Sequence, residues 1–186
     1  MRQLVCKLLA ILFLTSAAFS AAPVKDDKPT STVDSIRKAL LSLPYYSVFD
    51  YIEFKLDGRT VTLLGAVTRP ALKSDAEAVV HHVKGVEEVV NNIEVLPLST
   101  ADDRIRRAVY QTVFSQDGLS RYSLGANPSI HIIVKNGNVT LKGIVDNQGD
   151  KNLAGIQARS VGGTFAVKNE LRVAPRTEDN SKKRTE

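Results

Sequence analysis

The sequence predicts an α+β protein made of two tandem copies of an α-β-β-α-β unit, each a small three-stranded mixed sheet packed by two helices. Three observations lead there. The chain repeats itself: Val61-Thr62-Leu63-Leu64-Gly65 lies over Val139-Thr140-Leu141-Lys142-Gly143, and the pairing runs without a gap to Pro97 over Pro175. About 13 identities fall in roughly 37 aligned positions, far above chance for an ungapped pairing. Each copy has two short alternating stretches joined at Asp-Gly or Asn-Gly, the residues tight hairpins favour. In the first copy an apolar stripe at helical spacing follows, and both copies have a glycine stop and a last alternating stretch.

In the first copy, Ser31-Thr32-Val33-Asp34 has the Ser-x-x-acid pattern of a helix start. Ile36, Ala39, Leu40 and Leu43 then recur on one face, and Pro44 ends the run. Strands are expected over 52–56 and 60–67, joined at Asp57-Gly58. Pro70 suits the first turn of the next helix, where its missing N–H costs nothing. Leu72, Ala76, Val79, Val80 and Val83 form its stripe, Gly85 stops it, and a strand over 89–96 closes at Pro97.

The second copy has the same order. Its first helix, 102–114, aligns through Ile36 with Ile105 and Ala39 with Ala108. An insertion around 119–127 separates it from strands at 130–134 and 139–145, joined at Asn136-Gly137. Gly162-Gly163 reads as a helix stop, and the last strand, 167–173, closes at Pro175.

The ends carry a different message. Arg2 and Lys7 flank a basic start, residues 8–14 are apolar, and Ala18-Phe19-Ser20 offers a small-x-small cleavage pattern. Residues 1–20 therefore read as a signal peptide cut after Ser20. A retained anchor is disfavoured, because the apolar run is short for about 30 Å of hydrocarbon. The chain's one cysteine, Cys6, lies inside this segment, so the mature protein has neither disulfide nor thiol chemistry. Units are expected at 31–98 and 99–175, with a disordered charged tail over 176–186. The linker from Pro97 to Ala101 is too short for free tumbling, so the units are expected to pack together.

Charge is unevenly divided. Residues 31–98 carry 7 Lys/Arg against 9 Asp/Glu, a net of −2, whereas residues 99–175 carry 10 against 6, a net of +4. In an exported protein a basic half points to anionic lipid or an acidic partner ahead of nucleic acid.

Little favours catalysis. His81 and His82 are helix neighbours about 100° apart and cannot chelate as an i, i+4 pair would. By the stripe, His81 faces solvent and His82 flanks the core. His131 alternates with Ile130 and Ile132 and is expected to face away from the core. Asp75 and Glu77 belong to a solvated face. No nucleophile motif, zinc motif or phosphate-binding glycine loop occurs. No enzyme activity, metal, cofactor or small-molecule substrate is expected.

Val61-Thr62-Leu63-Leu64-Gly65-Ala66-Val67, followed by Gly85-Val86-Glu87-Glu88-Val89-Val90-Asn91-Asn92-Ile93-Glu94-Val95, resembles the BON family, named after bacterial osmotically inducible and nodulation proteins. The second copy keeps the hairpin pattern but replaces Gly-Val with Gly163-Thr164-Phe165. The resemblance implies an exported, non-catalytic protein of the periplasm or outer membrane, associated with phospholipid binding, envelope integrity and stress. Where a lipid-binding tandem relative has a lipid anchor, the cysteine for it is missing here.

The candidate contact residues lie on the first helix of the second copy and the insertion after it. They are Arg104, Arg106, Arg107, Tyr110, Phe114, Arg121 and Tyr122. Guanidinium groups meet phosphate while rings sit at headgroup level, so the set is expected to bind an anionic phospholipid surface peripherally, with Leu124 alongside. In the other reading, Phe114 and Tyr122 cover a sheet edge or the unit junction, where Leu153 and Ile156 also belong. The alternative function is a soluble periplasmic adaptor, interaction module or chaperone-like partner of an envelope protein.

Overall fold

The computed structural model describes residues 31–125 and 127–175. The expected signal peptide and charged tail lie outside the described residues.

Helix α1 (Thr32–Leu41) starts where its cap predicts: Ser31 Oγ accepts the Asp34 N–H at 3.2 Å. It ends before Pro44, burying Ile36 and Leu40, with Leu43 buried just beyond. Strands β1 (Tyr51–Asp57) and β2 (Thr60–Val67) pair antiparallel. Asp57 faces Thr60, so the two loop residues are Gly58 and Arg59, with Gly58 at φ +58°. The turn therefore has glycine first, one step later than Asp57-Gly58 alone implies. Helix α2 (Pro70–His81) opens on Pro70 and leads to β3 (Glu88–Val95), which pairs parallel with β2. A parallel neighbour requires a crossover, and α2 supplies it.

The second unit repeats this plan with α3 (Thr100–Phe114), a single 3₁₀ turn (Ser120–Ser123), β4 (Ile130–Lys135), β5 (Asn138–Val145) and α4 (Gln148–Arg159). Its last strand is not continuous over 167–173. It divides into β6 (Ala166–Asn169) and β7 (Arg172–Val173), both parallel to β5. Asn169 Oδ1 accepts the Leu171 N–H at 3.3 Å and Leu171 is fully buried, the same contact that Asn91 Oδ1 makes with the buried Ile93 in the unbroken β3. The fold is thus α+β, with the middle strand of each sheet antiparallel to one neighbour and parallel to the other.

Two repeated residues explain much of the repeat. Asn91 and Asn169 donate from Nδ2 to the carbonyls of Lys73 and Lys151, at 2.8 and 2.6 Å, and so fasten the last strand of each unit to its second helix. Gly65 and Gly143 have φ +123° and +119°, and a Cβ on either would lie 2.0 Å from the carbonyl oxygen of Tyr51 or Ser129. Both the φ and the close approach demand glycine.

Gly143→Ala is accordingly expected to lower unfolding stability by about 2 kcal/mol or more, read as a reduced urea midpoint. Gly125→Ala, where a Cβ meets nothing within 4 Å, is expected to cost less.

Candidate functional site

The loop before β1 joins the two units. Val48 leaves its own unit and packs in the second unit's core with Val109, Val113 and Ile132. Its carbonyl accepts the Ile132 N–H at 2.8 Å, on the edge of β4 that β5 leaves free. Asp50 holds the loop in that shape. Its fully buried carboxylate accepts from Ser47 N and Oγ (3.0 and 2.6 Å) and from Thr68 N and Oγ (2.6 and 2.8 Å). Four donors satisfy a charge that would otherwise be costly to bury. Phe49 then meets Tyr110, which stacks edge-on against Phe114, with centroids 6.2 and 4.9 Å apart. Lys135 and Glu94 add an ion pair between units at 2.5 Å.

His131 corrects the sequence reading. It does point off the second unit's core, as alternation requires, but the first unit covers that face. The ring is buried between Tyr46 and Tyr51, with centroids at 5.6 and 5.5 Å, and its Nδ1 has no hydrogen-bond partner. Burial pushes its pKa below the ordinary 6.5. Burial likewise pushes the Tyr46 hydroxyl up to about 12, and that hydroxyl accepts the Ile52 N–H at 3.2 Å.

The seven candidate contact residues divide. Arg104 and Arg107 are exposed and, among the described residues, make no ion pair. Tyr110 is part exposed beside them. Arg106, expected on an outward face, is buried, and so are Phe114 and Tyr122, for which the other expectation is cover for a sheet edge or the junction. The buried stripe of α3 includes Asp102, Ile105, Arg106, Val109, Val113 and Phe114, a wider arc than the first copy predicts, because the helix packs on its own sheet and beside the junction loop. Tyr122 pins the insertion to the start of α4. Its hydroxyl accepts the Asp146 N–H at 2.9 Å and donates to Asp150 at 2.6 Å, and burial together with the Asp150 bond raises its pKa to about 12. Arg121 lies over the Tyr122 ring and pairs with Asp146 (3.1 Å) and Asp150 (2.5 Å), so its charge is already matched.

Other placements also differ. His82, expected beside the core, is exposed. Ile156 is exposed and Leu153 packs on the second unit's own core, so neither builds the junction. Asp102 was invisible to periodicity: it is buried and accepts the N–H groups of Asn136 and Gly137 at 2.9 and 2.8 Å, clasping the hairpin turn. Among the described residues no group of three or more His, Cys, Asp or Glu could hold a metal ion.

Two small mixed sheets, a glycine-pinned hairpin in each and an Asn clamp in each define a duplicated α-β-β-α-β module. The BON domain model matches residues 52–97 and 101–175, and the chain belongs to the BON domain family. That family is periplasmic or envelope-associated and in general binds phospholipid. No curated protein matches the chain. Among the solved structures that resemble it distantly are two of one protein. One is the C-terminal domain of CdsD, the structural protein of the type III secretion system of Chlamydia trachomatis, at 14% identity, covering 78% of this chain and 98% of that one, with a TM-score of 0.33. The other, also of CdsD from Chlamydia trachomatis, shares 14% identity over 77% of this chain and 92% of that one, with a TM-score of 0.31. Likeness this distant says nothing about what the chain binds. No helix among the described residues is long and apolar enough to cross a membrane.

Because the folded His131 has its pKa lowered from 6.5, the unfolded chain takes up that proton first. Stability is then full above about pH 6.5 and falls as pH drops below it, by at most about 1.4 kcal/mol per pH unit for one group. Urea unfolding at pH 7.5 and 5.0 is expected to show this loss, and His131→Phe to flatten it. Glu170, whose pKa its Lys142 and Lys168 partners lower from 4.5, acts only in more acid solution.

Proposed function

We propose that the chain is a non-catalytic, exported envelope protein that binds anionic phospholipid peripherally through its second unit, supporting envelope integrity or stress response. The carrying observation is the pair Arg104 and Arg107, exposed and unmatched on the outward face of α3 with Tyr110 beside them. Most other cations nearby are engaged. Arg106, Arg121, Lys135, Lys142 and Lys168 all sit in ion pairs. The second unit's net +4 is therefore presented chiefly by α3, by Lys151 and Arg159 of α4, and by Arg172. α3 and α4 pack against each other, which brings these charges toward one layer. Guanidinium heads next to a part-exposed ring suit a phosphate-rich interface.

A second reading, a periplasmic adaptor for an envelope protein, draws on the free outer edge of β3, where Val90 is exposed. An unpaired edge is able to accept an added strand.

Flotation with phosphatidylcholine vesicles, with and without phosphatidylglycerol, separates the two. The chain is expected to float only with the anionic lipid, and Arg104→Glu with Arg107→Glu to lower the bound fraction at least tenfold, since each basic group near such a surface contributes about 1 kcal/mol. Binding indifferent to phosphatidylglycerol, or unchanged in the double variant, would favour the adaptor.

A further inference from the structure

Arg106 occupies the place in α3 that Arg37 occupies in α1, yet the two have opposite fates. Arg37 is 58% exposed and meets only Asp34, whereas the Arg106 side chain is 6% exposed. Its guanidinium donates to Asp103 at 2.5 Å and to the Val134 carbonyl at 2.7 Å. Its Nε is also buried, with no acceptor among the described residues. A buried N–H without an acceptor is costly.

Arg106 lines a cleft at the unit junction, and the rest of that cleft fits an anion. Arg69 of the first unit and Arg107 of the second line it too, and neither makes an ion pair among the described residues. The Tyr45 ring stacks on Arg69, 4.9 Å from the guanidinium carbon. Tyr45 itself sits at φ +65°, a conformation a bulky residue adopts only when its surroundings impose it. The carboxylates nearby are spoken for: Asp103 pairs with Arg106, and Asp50 lies behind Thr68, bonded to four donors. Phe49, Leu96 and Leu98 supply the cleft's apolar lining, and Leu98 is 97% exposed.

Three guanidinium groups beside an apolar lip are what a phosphate on an apolar body needs. We propose that this cleft binds the phosphate of an anionic phospholipid between Arg69 and the Arg106–Arg107 pair, with Leu98 and Tyr45 entering the headgroup layer. This rests on the phospholipid-binding reading and deepens it: the contact belongs to the junction and requires a residue of the acidic first unit, not α3 alone.

The test has two arms on the full mature chain. In the first, phosphatidylglycerol–phosphatidylcholine vesicles are titrated against Arg69→Gln and, as a control, Lys84→Gln, an exposed cation of the first unit outside the cleft. Arg69→Gln is expected to weaken binding at least fivefold with unchanged unfolding, and Lys84→Gln less than twofold. In the second arm inorganic phosphate is added in the absence of lipid while the Arg106 Nε–H resonance is followed by NMR; a saturable shift, lost in Arg69→Gln, is expected. Equal losses in the two variants with an unmoved Nε–H would overturn the cleft and leave general electrostatic binding intact. A phosphate-induced shift without any vesicle binding would overturn the membrane reading and assign the cleft to a soluble phosphate ester.

Discussion

The structure depends on one short loop in which Asp50 is buried so that Val48 can leave home. Four hydrogen bonds from Ser47 and Thr68 stabilise the carboxylate and set the chain direction just before β1. That direction places Val48 among the apolar residues of the second unit and its carbonyl on the edge of β4. With the edge bonded and the loop fixed, Tyr46 and Tyr51 come to lie over His131, and Phe49 comes to lie against Tyr110. The two units are therefore coupled by packing and backbone hydrogen bonding as well as by their short linker.

Duplication gives two copies of one set of instructions, and the copies diverge where their surroundings differ. Gly65 and Gly143, and Asn91 and Asn169, do the same work twice, because each acts within its own unit. Arg37 and Arg106 do not, because only α3 has a junction beside it. The junction also sets the electrostatics. It makes one side of α3 a place where cations are buried or clustered, while Arg121 and Tyr122 are drawn into a bonded group with Asp146 and Asp150. A charge count over the second unit therefore overstates what a partner meets, since ion pairs inside the protein consume several of those charges.

The repeat, its hairpins, the helix starts of the first copy and the α+β class were legible, because they follow from local rules: alternation for strands, caps and stripes for helices, glycine where φ is positive. Ser31, Ser99 and Asn147 cap the helices by such rules. Family membership was legible for the same reason, since the pattern Val-Thr-Leu-x-Gly and the later Asn are residues that the fold itself needs. The candidate contact set was legible only in part. Periodicity marks the main stripe of a helix; Arg106 and Phe114 lie beside that stripe and are covered where α3 meets β4 and the junction loop, and Tyr122 is buried by its bonds to Asp146 and Asp150, contacts that spacing along the chain does not reveal.

The sequence by itself thus determined the two modules, their order and the basic character of the second. Tertiary structure alone decided which of the arginines remain free, why His131 is buried and that Arg69 from the acidic half lines one cleft with Arg106 and Arg107. The physical reason is range. Local rules act over a few residues along the chain, whereas burial and charge matching at the junction join residues far apart in sequence, and the loop from Ser47 to Asp50 brings them together.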